Sequence, residues 1–125
     1  MARILIADDD RGVAEFVSRA LAHSGHAVRT VEDGFAALEA LNEETFDLLV
    51  SDIVMPGMDG IALALKAAKD YPATRILLMS GYAHERQRAH NLDVLAHNII
   101  SKPFTLKSIC AAVDKTLAAD RPHTA

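Results

Sequence analysis

The sequence predicts an α/β fold: one domain built on a five-stranded parallel sheet that is doubly wound, with helices on both faces. Two observations carry this. Short runs rich in Ile, Val and Leu alternate five times with longer segments of helical period; each run is too short for a helix and suits a strand covered on both faces. The 125 residues, half of them apolar and 24% charged, match one ordinary globular domain with a core and leave no room for a second.

In chain order, the first strand is predicted at Ile4 to Ala7. In the helix that follows, Val13, Phe16, Val17, Ala20 and Leu21 fall at i, i+3, i+4, i+7 and i+8, which makes one apolar stripe. Asp10 is placed to cap its start, and Gly25 to end it in the left-handed conformation that favours glycine. The second strand runs from Ala27 to Val31, and the second helix carries Ala37, Leu38 and Leu41. Leu48 to Val50 forms the third strand; a helix capped by Asp59 then buries Ile61, Ala64, Leu65 and Ala68. The fourth strand is Ile76 to Met79 and the fifth Ile99 to Ile100. Between them Ala83 to His97 has weak periodicity and is read as a short fourth helix followed by a loop. The last helix starts near Thr105 and presents Leu106, Ile109, Cys110, Val113 and Leu117. Residues 1–119 make up the domain, and Asp120 to Ala125 is read as a frayed tail.

Strand-helix alternation with right-handed crossovers fits the flavodoxin-like arrangement, strand order 2-1-3-4-5, in which ligands bind beyond the carboxyl ends of the strands. The formal charge of -4 and the absence of a basic run argue against nucleic acid or an anionic membrane as partner. No segment approaches a membrane span or a signal-peptide core, so the expected compartment is the cytoplasm. A single cysteine, Cys110, cannot form an internal disulfide and reads as a small buried hydrophobe.

Polar signals gather where that rule says chemistry belongs. Asp8 and Asp9 follow the first strand, Asp52 the third, Ser80 the fourth and Lys102 the fifth. Each has an ordinary explanation taken singly, as a turn residue, a cap or a surface charge. Together they place three carboxylates in one small region, where mutual repulsion raises at least one pKa unless a cation compensates. Magnesium suits such a site, since it commonly takes one or two carboxylates, several waters and a phosphate oxygen. A lysine facing the ion makes the place suited to a phosphoryl group.

These motifs, Asp8-Asp9, Asp52 with Met55-Pro56 and Asp59-Gly60, Ser80-Gly81, and Lys102-Pro103-Phe104, resemble the receiver domains of two-component response regulators from about Arg3 to Leu117. Asp52-Ile53-Val54-Met55-Pro56 and Ile100-Ser101-Lys102-Pro103-Phe104 are similar to the single-domain CpdR group. The resemblance implies a CheY-like fold with Asp52 as phosphoacceptor. It implies Mg2+ bound directly by Asp9 and Asp52, through water by Asp8, and by the Val54 backbone carbonyl. Ser80 and Lys102 would hold the phosphoryl oxygens, Gly81 would leave room for the donor, and Lys102-Pro103 would be cis. The implied phosphodonor is a histidine kinase or phosphotransfer protein. The implied output face is the fourth helix, fifth strand and fifth helix, here Ala83 to Asn91, Asn98 to Ile100 and Thr105 to Lys115. Because the chain stops after the last predicted helix, output is expected through binding another protein; in the CpdR group that is the regulated proteolysis machinery, with the unphosphorylated form active as adaptor.

One position departs from the pattern. Most receivers carry Tyr or Phe three residues before the lysine, where this chain has Ile99, read here as core; the switch then falls to Tyr82 or to movement of the fourth helix. Two competing functions stand beside the first. An aspartyl-phosphate hydrolase of the haloacid-dehalogenase type places a second Asp two residues after the nucleophile, where this chain has Val54. A pseudo-receiver that binds without phosphorylation usually loses the acidic pair, the acceptor or the lysine, all present here. His23, His26, His84, His90 and His97 lack a closed ligand set and read as surface histidines.

Overall fold

The structure, a computed structural model, describes residues 1–82, 85, 87, 88 and 98–118. Five parallel strands, β1 (Arg3–Ala7), β2 (Ala27–Val31), β3 (Leu48–Asp52), β4 (Arg75–Ser80) and β5 (Ile99–Ser101), form one sheet in the order β2-β1-β3-β4-β5. Four helices are described: α1 (Arg11–His23), α2 (Gly34–Glu43), α3 (Gly60–Asp70) and α4 (Leu106–Ala118). Most of the predicted short helix from Ala83 to His97, the histidines 84, 90 and 97, and the predicted tail lie outside the described residues.

Side chains alternate across a strand, so the central strands feed two cores. Leu5, Ala7, Leu49 and Leu78 pack with α2 and α3 on one face; Ile4, Ile6, Leu48, Val50 and Met79 pack with α1 and α4 on the other. The register aligns the chemistry: Ile4 pairs with Leu48 and Ala7 with Ser51, while Asp52 pairs with Met79 and Ser80 with Ser101. Strand ends that carry polar groups therefore finish level at one rim of the sheet.

The caps follow local chemistry. Asp10, Asp33 and Asp59 each accept backbone N–H bonds at the starts of α1, α2 and α3, satisfying donors that have no partner inside the helix. Thr105 does the same for α4: its hydroxyl accepts the Ser108 N–H at 3.0 Å, and the Ser108 hydroxyl accepts the Thr105 N–H at 2.8 Å. Gly25 ends the turn after α1 at φ +94°, as its place in the sequence predicts.

Three packing expectations need correction. In α3 the buried face is Gly60, Ile61, Leu63, Ala64 and Ala67, and Leu65 is exposed. Gly60 sits against the end of β3, and at 100° per residue that contact turns the stripe away from Leu65. Phe16 lies at the edge of the α1 stripe and is partly exposed, its ring 6.3 Å from that of Phe104. Leu106, the first residue of α4, faces solvent. Cys110 is half-buried against α1, its Sγ 3.5 Å from the Ser24 hydroxyl. No described helix is long and apolar enough to cross a membrane.

Candidate phosphoacceptor site

Asp8 continues from β1, and its backbone N–H still donates to the Val31 carbonyl of β2 at 3.1 Å. That tie holds the residue at the rim while its side chain turns inward, almost wholly buried. One carboxylate oxygen, Oδ1, accepts the Asp10 N–H at 2.9 Å; the other, Oδ2, is buried and receives no hydrogen bond. Asp52 closes β3, and Asp9 lies exposed beside it. Ligand oxygens of Asp8, Asp9 and Asp52 all fall within 4.8 Å of one another.

Lys102 reaches this cluster from the far strand. Its N–H donates to the Ser80 carbonyl at 2.7 Å, and its peptide bond to Pro103 is cis. The ammonium stands 3.1 Å from Asp52 Oδ1, a hydrogen bond, and 3.5 Å from Asp8 Oδ2, which is an ion-pair contact only. Burial pushes the Asp52 carboxyl up to about 6 and the Asp8 charge adds to this, against the pull of Lys102. Burial also raises Asp8, opposed by the Asp10 N–H and Lys102. Burial would lower Lys102, but Asp52 and Asp8 outweigh it and hold the ammonium above its ordinary value.

A buried oxygen without a hydrogen bond, three converging carboxylates and two raised acids describe a site short of positive charge. A hard divalent cation with oxygen ligands supplies what is missing, so the donor set fits such an ion.

Ser80, the last residue of β4, is buried, but its hydroxyl donates to the Tyr82 carbonyl at 2.9 Å rather than facing Asp52. Open space surrounds the position a Cβ would take at Gly81. Val54, two residues past β3, exposes its side chain. A cavity of about 610 Å3 opens beside the cluster, with Asp52, Val54, Gly81, Tyr82, Glu85 and Lys102 among its walls.

A profile of the response regulator receiver domain matches residues 4–114. The chain belongs to the response regulator receiver domain family. Response regulator receiver protein CpdR of Brucella abortus is 38% identical over 119 residues, 95% of this chain and 99% of that protein. The chain spans about half the length of other curated relatives that it matches, 54% and 49% in two cases. Among solved structures, chemotaxis response regulator CheY4 of Vibrio cholerae superposes with a TM-score of 0.84 at 27% identity, covering 93% of this chain and 98% of that one. Response regulator TrrA of Thermotoga maritima, solved in complex with Mg2+ and BeF, gives 0.83 at 30% identity, covering 93% and 99%.

Receiver domains are the signalling modules of two-component response regulators, and they generally bind Mg2+ at an acidic pocket. In this receiver the five residues singled out from sequence lie along one rim, and four converge directly: Asp8, Asp9, Asp52 and Lys102. Ser80 is adjacent, with its hydroxyl turned aside. Ile99 lies in β5 and packs, partly buried, against the core that contains Leu78 and Ile53.

Sequence reasoning missed two residues. Glu85 sits in the weakly periodic segment, where nothing separated it from surface charge, yet it is buried and accepts the Gly81 N–H at 3.0 Å. Gly60 was visible in Asp59-Gly60, but its closeness to the Asp52 peptide is a backbone fact that no residue pattern shows. Asp59 itself, whose N-cap bond from Ala62 and pairing with Arg88 overcome its burial, is held below the usual carboxylate range.

Proposed function

We propose that this receiver accepts a phosphoryl group on Asp52 and signals through phosphorylation-dependent binding to another protein. The observation that carries the reading is the meeting of Asp8, Asp9 and Asp52, with the Lys102 ammonium 3.1 Å from Asp52 Oδ1. A carboxylate is a weak nucleophile, yet attack on phosphorus needs mainly alignment and neutralised charge. The free Asp52 oxygen forms the new O–P bond while the bond from phosphorus to the donor's leaving group breaks, and the leaving group carries off the electron pair. Lys102 holds the acceptor in place and faces the incoming oxygens. Ser80, once its hydroxyl leaves Tyr82, donates to one of them.

Asp9 and Asp52 would ligate Mg2+ directly, Asp8 through water, with the Val54 carbonyl completing the protein's share. Bound there, the ion supplies charge neutralisation for the transferred group. The TrrA complex with Mg2+ and BeF, a phosphoryl mimic, supports this by likeness. The phosphodonor would be a histidine kinase or phosphotransfer protein. Output would run through the surface of β5, α4 and the segment from Ala83 to Asn91, in the cytoplasm. On the CpdR resemblance, that output would be control of proteolysis. Residues 1–119 would form the receiver and 120–125 a tail, with no turnover beyond self-catalysed phosphorylation and dephosphorylation.

Incubation with Mg2+ and acetyl phosphate tests the reading by intact mass. Wild type should gain one phosphoryl group; Asp52→Asn, or wild type in EDTA, should gain none. Wild type that stays unmodified would favour the pseudo-receiver alternative instead. Val54 offers no side chain to steer water onto the phosphoaspartate, so the modification should decay over minutes or longer. Decay within seconds would contradict that.

A further inference from the structure

We propose that Glu85 is a positioning residue that latches the loop after β4 in its resting shape and yields when a phosphoryl group arrives; this rests on reading Asp52 as the acceptor. Glu85 is only 2% exposed. Its Oε1 accepts the Gly81 N–H at 3.0 Å, and its own N–H donates to the Tyr82 carbonyl at 3.1 Å. That same carbonyl takes the Ser80 hydroxyl at 2.9 Å. The two donors nearest the end of β4, the Ser80 hydroxyl and the Gly81 amide, are thus both taken up, one by the Tyr82 carbonyl and one by the Glu85 carboxylate.

Glu85 is also one of the residues lining the cavity that Asp52 and Lys102 line. No lysine or arginine among the described residues lies within 4.0 Å of its carboxylate, because Lys102 is engaged by Asp52 and Asp8. A buried anion tolerated in the resting state becomes costly when roughly -1.5 to -2 of charge is added nearby. Its departure frees the Gly81 N–H. Without that bond the backbone from Ser80 to Tyr82 can shift, and Ser80 can exchange the Tyr82 carbonyl for a phosphoryl oxygen. One local electrostatic event therefore releases two donors, which gives the loop a two-state character. With Ile99 where an aromatic ring would otherwise report on this movement, the latch supplies a coupling that the aliphatic side chain lacks.

Beryllofluoride binding at saturating Mg2+ tests the latch in wild type, Glu85→Gln and Glu85→Leu. Leucine removes both charge and acceptor and should tighten binding about tenfold, which is about 1.4 kcal/mol, the size of one hydrogen bond to a charged group. Glutamine keeps an acceptor for Gly81 and should tighten it less. Affinity for Mg2+ alone should not rise in either variant, since each removes a nearby negative charge, so tighter beryllofluoride binding cannot come from a tighter ion site. Should the leucine variant fold poorly, the glutamine variant decides. Wild type that binds while the variants bind no tighter overturns the latch alone; wild type that takes up no beryllofluoride overturns the phosphoacceptor reading with it.

Discussion

Gly60→Ala should lower the melting temperature by about 10 °C and cut phosphoryl uptake in the fraction that stays folded. An ideal Cβ at this position would overlap the Asp52 carbonyl oxygen and lie 2.8 Å from the Asp52 carbonyl carbon and 2.9 Å from Ile53 Cα. All three are backbone atoms at the end of a central strand, so no side chain can swing away to make room. The Gly60 N–H also donates to the Ile53 carbonyl at 2.7 Å, which pins the start of α3 to the residue that follows Asp52. Relief requires α3 to withdraw or Asp52 to move. Overpacking of this kind costs up to about 3 kcal/mol, and for a domain of this size each kcal/mol is worth roughly 3–5 °C. Gly25→Ala is the control. Nothing lies within 4 Å of a Cβ there, and only its φ of +94° is at issue, so the loss should be near 1 kcal/mol. Thermal melts of both variants check the difference; equal losses would mean that the close approach at Gly60 is not a constraint.

The same contact explains why the sequence yielded some features and withheld others. Runs such as Ile4 to Ala7 and Ile76 to Met79 can only be central strands, because apolar residues on both faces need cover on both faces. Once the strands are placed, a parallel sheet brings Asp8, Asp52, Ser80 and Lys102 to one rim whatever their separation along the chain. Helix phase is less secure. In α3 two stripes were available, and the sequence favoured the one containing Leu65; a single glycine-to-backbone contact chose the other. Side-chain orientation is less legible still. Ser80 could donate to a phosphoryl oxygen or to Tyr82, and only the loop's own carbonyl, 2.9 Å away, decides for the resting protein. Glu85 is the extreme case, since a glutamate among histidines and arginines reads as solvated until the fold buries it.

Asp52→Asn should stabilise the magnesium-free protein by about 1–3 kcal/mol at pH 7.5, even as it abolishes phosphorylation. The Asp52 carboxyl is raised from 3.8 to about 6, first by burial and then by Asp8. A raised carboxyl binds its proton more tightly folded than unfolded. Between pH 4 and 6 the native state therefore holds a proton that the unfolded state has lost, and stability falls as pH rises through that window. Above it the penalty is present in full. Asparagine is neutral at every pH and avoids it while keeping the shape. The advantage should accordingly shrink toward pH 4.5, where Asp52 is already protonated in the fold. Magnesium should reverse the ranking, because an ion that binds only the folded state at 100 times its dissociation constant adds about 2.7 kcal/mol, and the variant lacks the Asp52 carboxylate proposed to ligate it. Urea denaturation of both proteins, at pH 4.5 and 7.5 with EDTA or Mg2+, measures all of this while leaving charges unscreened. Equal stability in EDTA at pH 7.5 would show that the cluster carries no excess negative charge. The case for a cation at these three carboxylates would then lose its electrostatic basis. A cluster of converging carboxylates thus destabilises the fold that holds it until a cation offsets its charge.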